Sequence, residues 1–233
     1  MLLQTANIRA VEAAKESNDL PEHRKAARAL QAANRFFARV YHRLEVLSPP
    51  RLPDKGAAIL ICNHTSGLDP QLIQSVCPRL IVWMMAAEYY EVWGVRQIFR
   101  TVGVIPVTRS GRDTTATRAA LRALHHGQIL GVFPEGKIET TNDLLPFQTG
   151  VAMMAMKTGV PVYPAYLDGT QRGMDMIPAL LRRQEAAIAF GHEVVFDRSR
   201  DGKEGMEAAT ETMTQAVESL RQFMRNARRQ NQL

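Results

Sequence analysis

The chain has 233 residues, 45% hydrophobic and 22% charged, a globular composition that excludes a mostly disordered polypeptide. Its 29 basic residues against 23 acidic ones give +6, and the excess is mostly Arg, whose planar fork of donors suits phosphate and carboxylate. Two cysteines, Cys62 and Cys77, make neither a disulfide scaffold nor a metal-ligand cluster, and no apolar run reaches the roughly 18 residues of a membrane span.

The opening MLLQTANIRAVEAAKES carries charges where a signal peptide would have an apolar core, so the expectation is a soluble or peripherally bound protein on the cytosolic side. Residues 22–43 follow with Arg24, Lys25, Arg28, Arg35, Arg39 and Arg43 against Glu22 alone. Leu30, Ala33, Phe37, Val40, Tyr41 and Leu44 recur there at helical spacing, with Phe36 beside them. An apolar stripe flanked by Arg suits either a membrane interface or packing on the protein's own core. The turn-rich Ser48-Pro49-Pro50-Arg51-Leu52-Pro53 then divides a helical, membrane-associating segment (1–47) from the main domain (48–233).

After the break, 57–64 is a short continuous apolar run, as in a buried strand, and Asp69-Pro70 reads as a helix N-cap followed by its first residue. Further strands are expected at Leu80–Met85, Val102–Val107, Ile129–Phe133, Pro161–Leu167 and Ala187–Phe190, with helices at Thr114–His125 and Phe147–Thr158. A last helix from about Gly205 to Arg229 carries Met206, Ala209, Met213, Val217, Leu220 and Met224 on one face. Strands alternating with helices predict an α/β fold, with a largely parallel central sheet flanked by helices behind the basic amphipathic N-terminal segment.

Chemistry concentrates at strand ends, where parallel α/β sheets form their ligand crevice. His64 leaves the first buried strand and Asp69 opens the next helix, so a strand-to-helix turn can fold the carboxylate onto the imidazole and make a general base. The bland alternative leaves Asp69 a cap and His64 a loop residue. Cys62 could pair with His64 as a nucleophile, although a Cys inside an apolar strand is ordinarily inert. Arg109 ends the run from Gly103, and Glu135, Gly136 and Lys137 end the run from Gly131; cations there suit an anionic substrate group.

These residues resemble the PlsC-type 1-acyl-sn-glycerol-3-phosphate acyltransferases of the glycerolipid acyltransferase superfamily. The N-H-x-S-x-x-D motif is matched at Asn63, His64, Ser66 and Asp69, and the second motif at Gly103 and Arg109, with Pro106 and Thr108 where many members have Phe and a charged residue. F-P-E-G is complete at Phe133–Gly136. Leu145–Gly150 resembles P-F-K-x-G with Gln148 for Lys, and V-P-V-x-P stands at Val160–Pro164.

The resemblance implies acyl transfer from acyl-CoA or acyl-carrier protein to the free hydroxyl of lysophosphatidate, giving phosphatidate. His64 would be the general base and Asp69 its orienting partner; the alkoxide would attack the thioester without an acyl-enzyme. Arg109 and Lys137 would hold the acceptor phosphate, with Glu135 fixing a glycerol oxygen or Arg109. Backbone N–H groups near Gly136 or at the helix beginning at Pro70 are candidates for the oxyanion. No metal or other cofactor is expected. The expected partners are an anionic membrane surface on the cytoplasmic face, the acceptor lipid and the acyl donor. The same chemistry on another lyso-lipid or glycolipid, and a non-catalytic lipid-binding protein, remain the alternatives. Nucleic acid is not expected, because no recognition motif accompanies the charge and aromatics are only 6%.

Overall fold

A computed structural model describes residues 21–230 apart from 92–94, 109–112, 142 and 201. Seven strands form one sheet in the order β1-β7-β6-β2-β5-β3-β4. They are β1 (Glu45–Ser48), β2 (Ala58–Cys62), β3 (Ile81–Ala86), β4 (Ile105–Val107), β5 (Ile129–Val132), β6 (Val162–Asp168) and β7 (Ala187–Phe190). All pairings are parallel except β6 with β7.

The central strands read as continuous apolar runs because both faces of the sheet are covered. On β2, Ile59 and Ile61 point into one core, and Ala58, Leu60 and Cys62 into the other. The first core is closed by α4 (Thr114–His125), α5 (Gly150–Thr158) and α7 (Gly202–Gln230). The second is closed by α1 (Pro21–Val40), α2 (Asp69–Val76), α3 (Val95–Val102) and α6 (Met176–Leu181). On α7, Ala209, Met213, Val217 and Met224 are buried, so that stripe packs on the protein itself.

Two expectations are corrected. The region 102–107 is not one strand: Val102 ends α3 and β4 begins at Ile105. The helix expected from Phe147 starts at Gly150. In addition, the short edge strand β1 ends at Ser48, where the turn-rich stretch begins, and pairs with β7.

The helix α1 is bonded to the protein along one side and exposed along another. Gln31 Nε2 and Asn34 Nδ2 donate to the carbonyls of Cys77 (2.9 Å) and Gln71 (2.7 Å). Arg35 donates to Ser75 O and Cys77 O, both at 3.1 Å, where α2 leaves its last carbonyls unpaired. Ala38 is buried, yet Phe36 (71%) and Val40 (57%) are exposed. No described helix is long and apolar enough to cross a membrane.

Candidate active site

The site lies where β2 and β5 end side by side. Asn63 locks the end of β2 to β6: its Nδ2 donates to Leu167 O (2.9 Å), and its Oδ1 accepts from Leu167 N (2.8 Å). The chain then turns through Thr65–Leu68 into α2. This turn passes so close to α6 that a Cβ on Gly67 would lie 2.4 Å from Met176 N.

Asp69 is not the N-cap expected from Asp-Pro but the first residue of α2. Its carboxylate turns back into the preceding loop, where a single oxygen, Oδ2, takes three donors: Thr65 N (2.7 Å), Ser66 N (2.9 Å) and His64 Nδ1 (2.9 Å). Asp69 is fully buried, whereas the His64 side chain keeps 17% exposure. With Nδ1–H donating to Asp69, the lone pair of Nε2 is left to act as a base. Phe133 lies against the imidazole with centroids 4.0 Å apart, and Trp83 stacks on Phe133 at 5.1 Å.

Glu135 stands behind this pair and is 4% exposed. Its Oε1 accepts from His64 N (2.9 Å) and its Oε2 from Leu145 N (3.1 Å), so the carboxylate ties the end of β5 to both loops. Burial pushes its pKa up to about 7, against the pull of those two N–H donors. Gly136 follows at φ 72°, and a Cβ there would meet the Gln148 amide at 2.2 Å. The Gly136 N–H donates to Phe133 O (3.0 Å) and the Gln71 N–H to Leu68 O (3.1 Å), so neither is an open oxyanion donor. Lys137 is exposed at the rim.

Arg109 lies outside the described residues. Its neighbour Thr108 is held by Asp113 Oδ2, through both N and Oγ1 at 2.8 Å. Cys62 is fully buried, and desolvation, followed by the charges of Asp69 and Glu135, raises its thiol well above the usual range. It is core, not a nucleophile. Among the described residues no group of three His, Cys, Asp or Glu side chains could hold a metal ion.

Spacing alone did not reveal the supports of His64 contributed from far along the chain. Glu139 N donates to His64 O (2.6 Å), Gly173 N to Thr65 O (2.9 Å), and Gly67 N to Met174 O (2.9 Å). A second feature beyond the motifs is an apolar cavity of about 190 Å³ between α1, α2, α3 and the sheet. Its walls include Pro70, Trp83, Met85, Ile98, Phe99 and Val102. Trp83 therefore faces the cavity and also backs the aromatic stack on His64.

The chain is 23% identical to the 1-acyl-sn-glycerol-3-phosphate acyltransferase of Bacillus subtilis (strain 168), over 76% of this chain and 87% of that protein. It is 30% identical to the human 1-acyl-sn-glycerol-3-phosphate acyltransferase beta, over 52% of this chain but only 45% of that longer protein. The crystal structure of the 1-acyl-sn-glycerophosphate acyltransferase PlsC from Thermotoga maritima superposes with a TM-score of 0.63 at 21% identity, covering 89% of this chain and 87% of that one. The acyltransferase family model matches residues 43–168, a span that holds β1–β6 with His64, Asp69 and Glu135, and the chain belongs to that acyltransferase family.

Proposed function

We propose that this acyltransferase moves a fatty acyl group from acyl-CoA or acyl-carrier protein to the free hydroxyl of lysophosphatidate, forming phosphatidate. The observation that carries the reading is the His64–Asp69 pair, oriented through Nδ1 with Nε2 left as base. The name of the Bacillus relative, most of whose length this chain covers, supports the acceptor.

His64 Nε2 takes the proton of the acceptor hydroxyl as its oxygen attacks the thioester carbonyl carbon. Buried Asp69 stabilises the imidazolium that forms. The tetrahedral intermediate collapses with cleavage of the C–S bond, and the imidazolium returns its proton to the departing sulfur. A thiolate is a good leaving group, so the step calls on no metal. Phe133 covers one face of the imidazole and limits water there. Lys137 and Arg109 hold the acceptor phosphate. Glu135, whose two oxygens take the His64 and Leu145 amides, keeps the base against the strand end. The apolar cavity behind Trp83 takes the acyl chain.

The acceptor and product are membrane lipids, which gives the outer face of α1 a purpose. Phe36 and Val40, four residues apart, present one exposed apolar edge, with Arg39 exposed beside them. That edge rests on an anionic leaflet, on the cytoplasmic face where the acyl donors are found.

The test is thiol release from palmitoyl-CoA, with and without lysophosphatidate, by the protein and by His64→Ala. Release that needs lysophosphatidate and is lost in the variant is expected. Release only with another lyso-lipid moves the acceptor; release independent of His64 removes the base. Lipid binding without release in any case leaves a non-catalytic lipid-binding protein.

A further inference from the structure

The His64–Gly67 turn is gripped from two sides by loops that are distant in sequence. From the β5 side, Glu135 Oε1 accepts His64 N–H (2.9 Å) and Glu139 N–H reaches His64 O (2.6 Å). From the β6 side, Thr170 Oγ1 pairs with Thr65 Oγ1, Gly173 N–H meets Thr65 O (2.9 Å), and Met174 O takes Gly67 N–H (2.9 Å). Each loop contributes bonds to the backbone that carries the base, so their relative position sets the position of the imidazole.

A side-chain ion pair also joins the two loops. Arg172, between Thr170 and Gly173, forms an ion pair through Nη1 with Glu139 Oε2, while its Nη2 lies 3.5 Å from Asp168 Oδ1 at the end of β6. Asp168 Oδ2 in turn accepts from Arg228 Nη1 of α7 at 2.6 Å, which fixes the far end of the bridge to the body of the protein. The Glu139 side chain is 3% exposed and the Arg172 side chain 26%, so the pair is largely withdrawn from solvent and from salt screening.

We infer that Arg172, acting through Glu139, is a positioning residue for His64. The planar guanidinium reaches Glu139 and Asp168 at once, a geometry an ammonium does not reproduce. With the bridge cut, Glu139 N–H no longer meets His64 O at a fixed place, and the ring drifts from its bond to Asp69. Misplacing a base by about 1 Å can cost up to a hundredfold in rate.

Two variants test this: Arg172→Lys, and the double variant Arg172→Met with Glu139→Gln, which removes both charges of the pair together. Each is compared with the wild type by kcat and KM with palmitoyl-CoA and lysophosphatidate. In parallel, the His64 Nδ1–H resonance is read in unliganded, 15N-histidine-labelled protein. The expected result for the double variant is a roughly tenfold or larger loss of kcat, KM within about twofold, and a broadened Nδ1–H resonance. Arg172→Lys should fall between it and the wild type.

A lowered melting temperature with kcat and the resonance unchanged would make the bridge merely structural and overturn the inference. So would a raised KM at constant kcat, or a loss of kcat with the resonance intact. The kinetic arm rests on the acceptor proposed above. If the wild type fails with lysophosphatidate, that proposal falls, and the resonance alone decides between positioning and none.

Discussion

Phe133 lies nearly parallel to the imidazole of His64, with the ring planes 13° apart and the centroids 4.0 Å apart. The stack closes one face of the imidazole to water and to rotation, and it is itself backed by Trp83. Since a thioester can be lost to water as well as to an alcohol, this shield bears on the ratio of transfer to hydrolysis. Phe133→Ala is expected to lower kcat for transfer about tenfold and to raise thiol release in the absence of acceptor. Measuring thiol release with and without the acceptor checks it; an unchanged ratio would mean that the ring only fills space.

Glu135 gives the site a pH signature in stability. Burial raises its pKa from 4.5 to about 7, so between these values the folded chain holds a proton that the unfolded chain has lost. The stabilising contribution is full below pH 4.5 and is lost as pH rises through about 7, a change of about 3 kcal/mol. Glu135→Gln does not titrate, and its amide nitrogen cannot accept from a backbone N–H, so one of the two bonds to His64 N and Leu145 N is lost. The variant is expected to be less stable than the wild type at pH 5, with the gap closing by pH 8. Urea unfolding across that range reads the gap; one that stayed constant would contradict the shift.

What could be read from the sequence follows from how far each interaction reaches. The β2, β5, β6 and β7 strands stand out because burial on both faces demands unbroken apolar runs. Such a run looks the same in either direction, so the reversal of β7 against β6 left no mark. The Glu45–Ser48 strand carries no such signal because only half of it is covered and its first two residues are exposed. Val102 reads as strand because a lone Val fits a strand and the end of a helix equally well, and only Gly103 marks the boundary. His64 and Asp69 were legible because their contact spans five residues. The bond from Glu139 to His64, the grip of residues 170–174 and the Arg172 bridge were not, since only the tertiary fold brings them together. Sequence names N–H groups near Gly136 as oxyanion candidates, but the tight turn that places Glu135 uses up the N–H of Gly136 itself.

The apolar cavity offers a test of where the acyl chain goes. Val102 is partly exposed on its wall, at the last turn of α3, so a larger side chain there projects into the space without opening the core. Val102→Phe should shift the preferred donor toward shorter chains, with palmitoyl-CoA losing roughly tenfold in kcat/KM relative to octanoyl-CoA. The comparison needs only a chain-length series of acyl-CoA donors. A uniform loss across the series would place the acyl chain elsewhere.

The basic residues of α1 differ in what they touch. Arg35 binds the carbonyls of Ser75 and Cys77, so replacing it by Glu would loosen α1 from α2 and confound any lipid measurement. Phe36 and Arg39 are exposed, which makes them the cleaner probes. Phe36→Asp removes apolar area from the edge and adds a repelled charge, and Arg39→Glu reverses a charge worth about 1 kcal/mol at an anionic surface. Each is expected to weaken binding to phosphatidylglycerol vesicles at least about fivefold, with an unchanged melting temperature. The Phe36 effect should persist at high salt and the Arg39 effect should fade, because only the second is screened. Co-sedimentation at two salt concentrations distinguishes these outcomes, and equal partitioning of both variants with the wild type would remove α1 as the membrane-facing element.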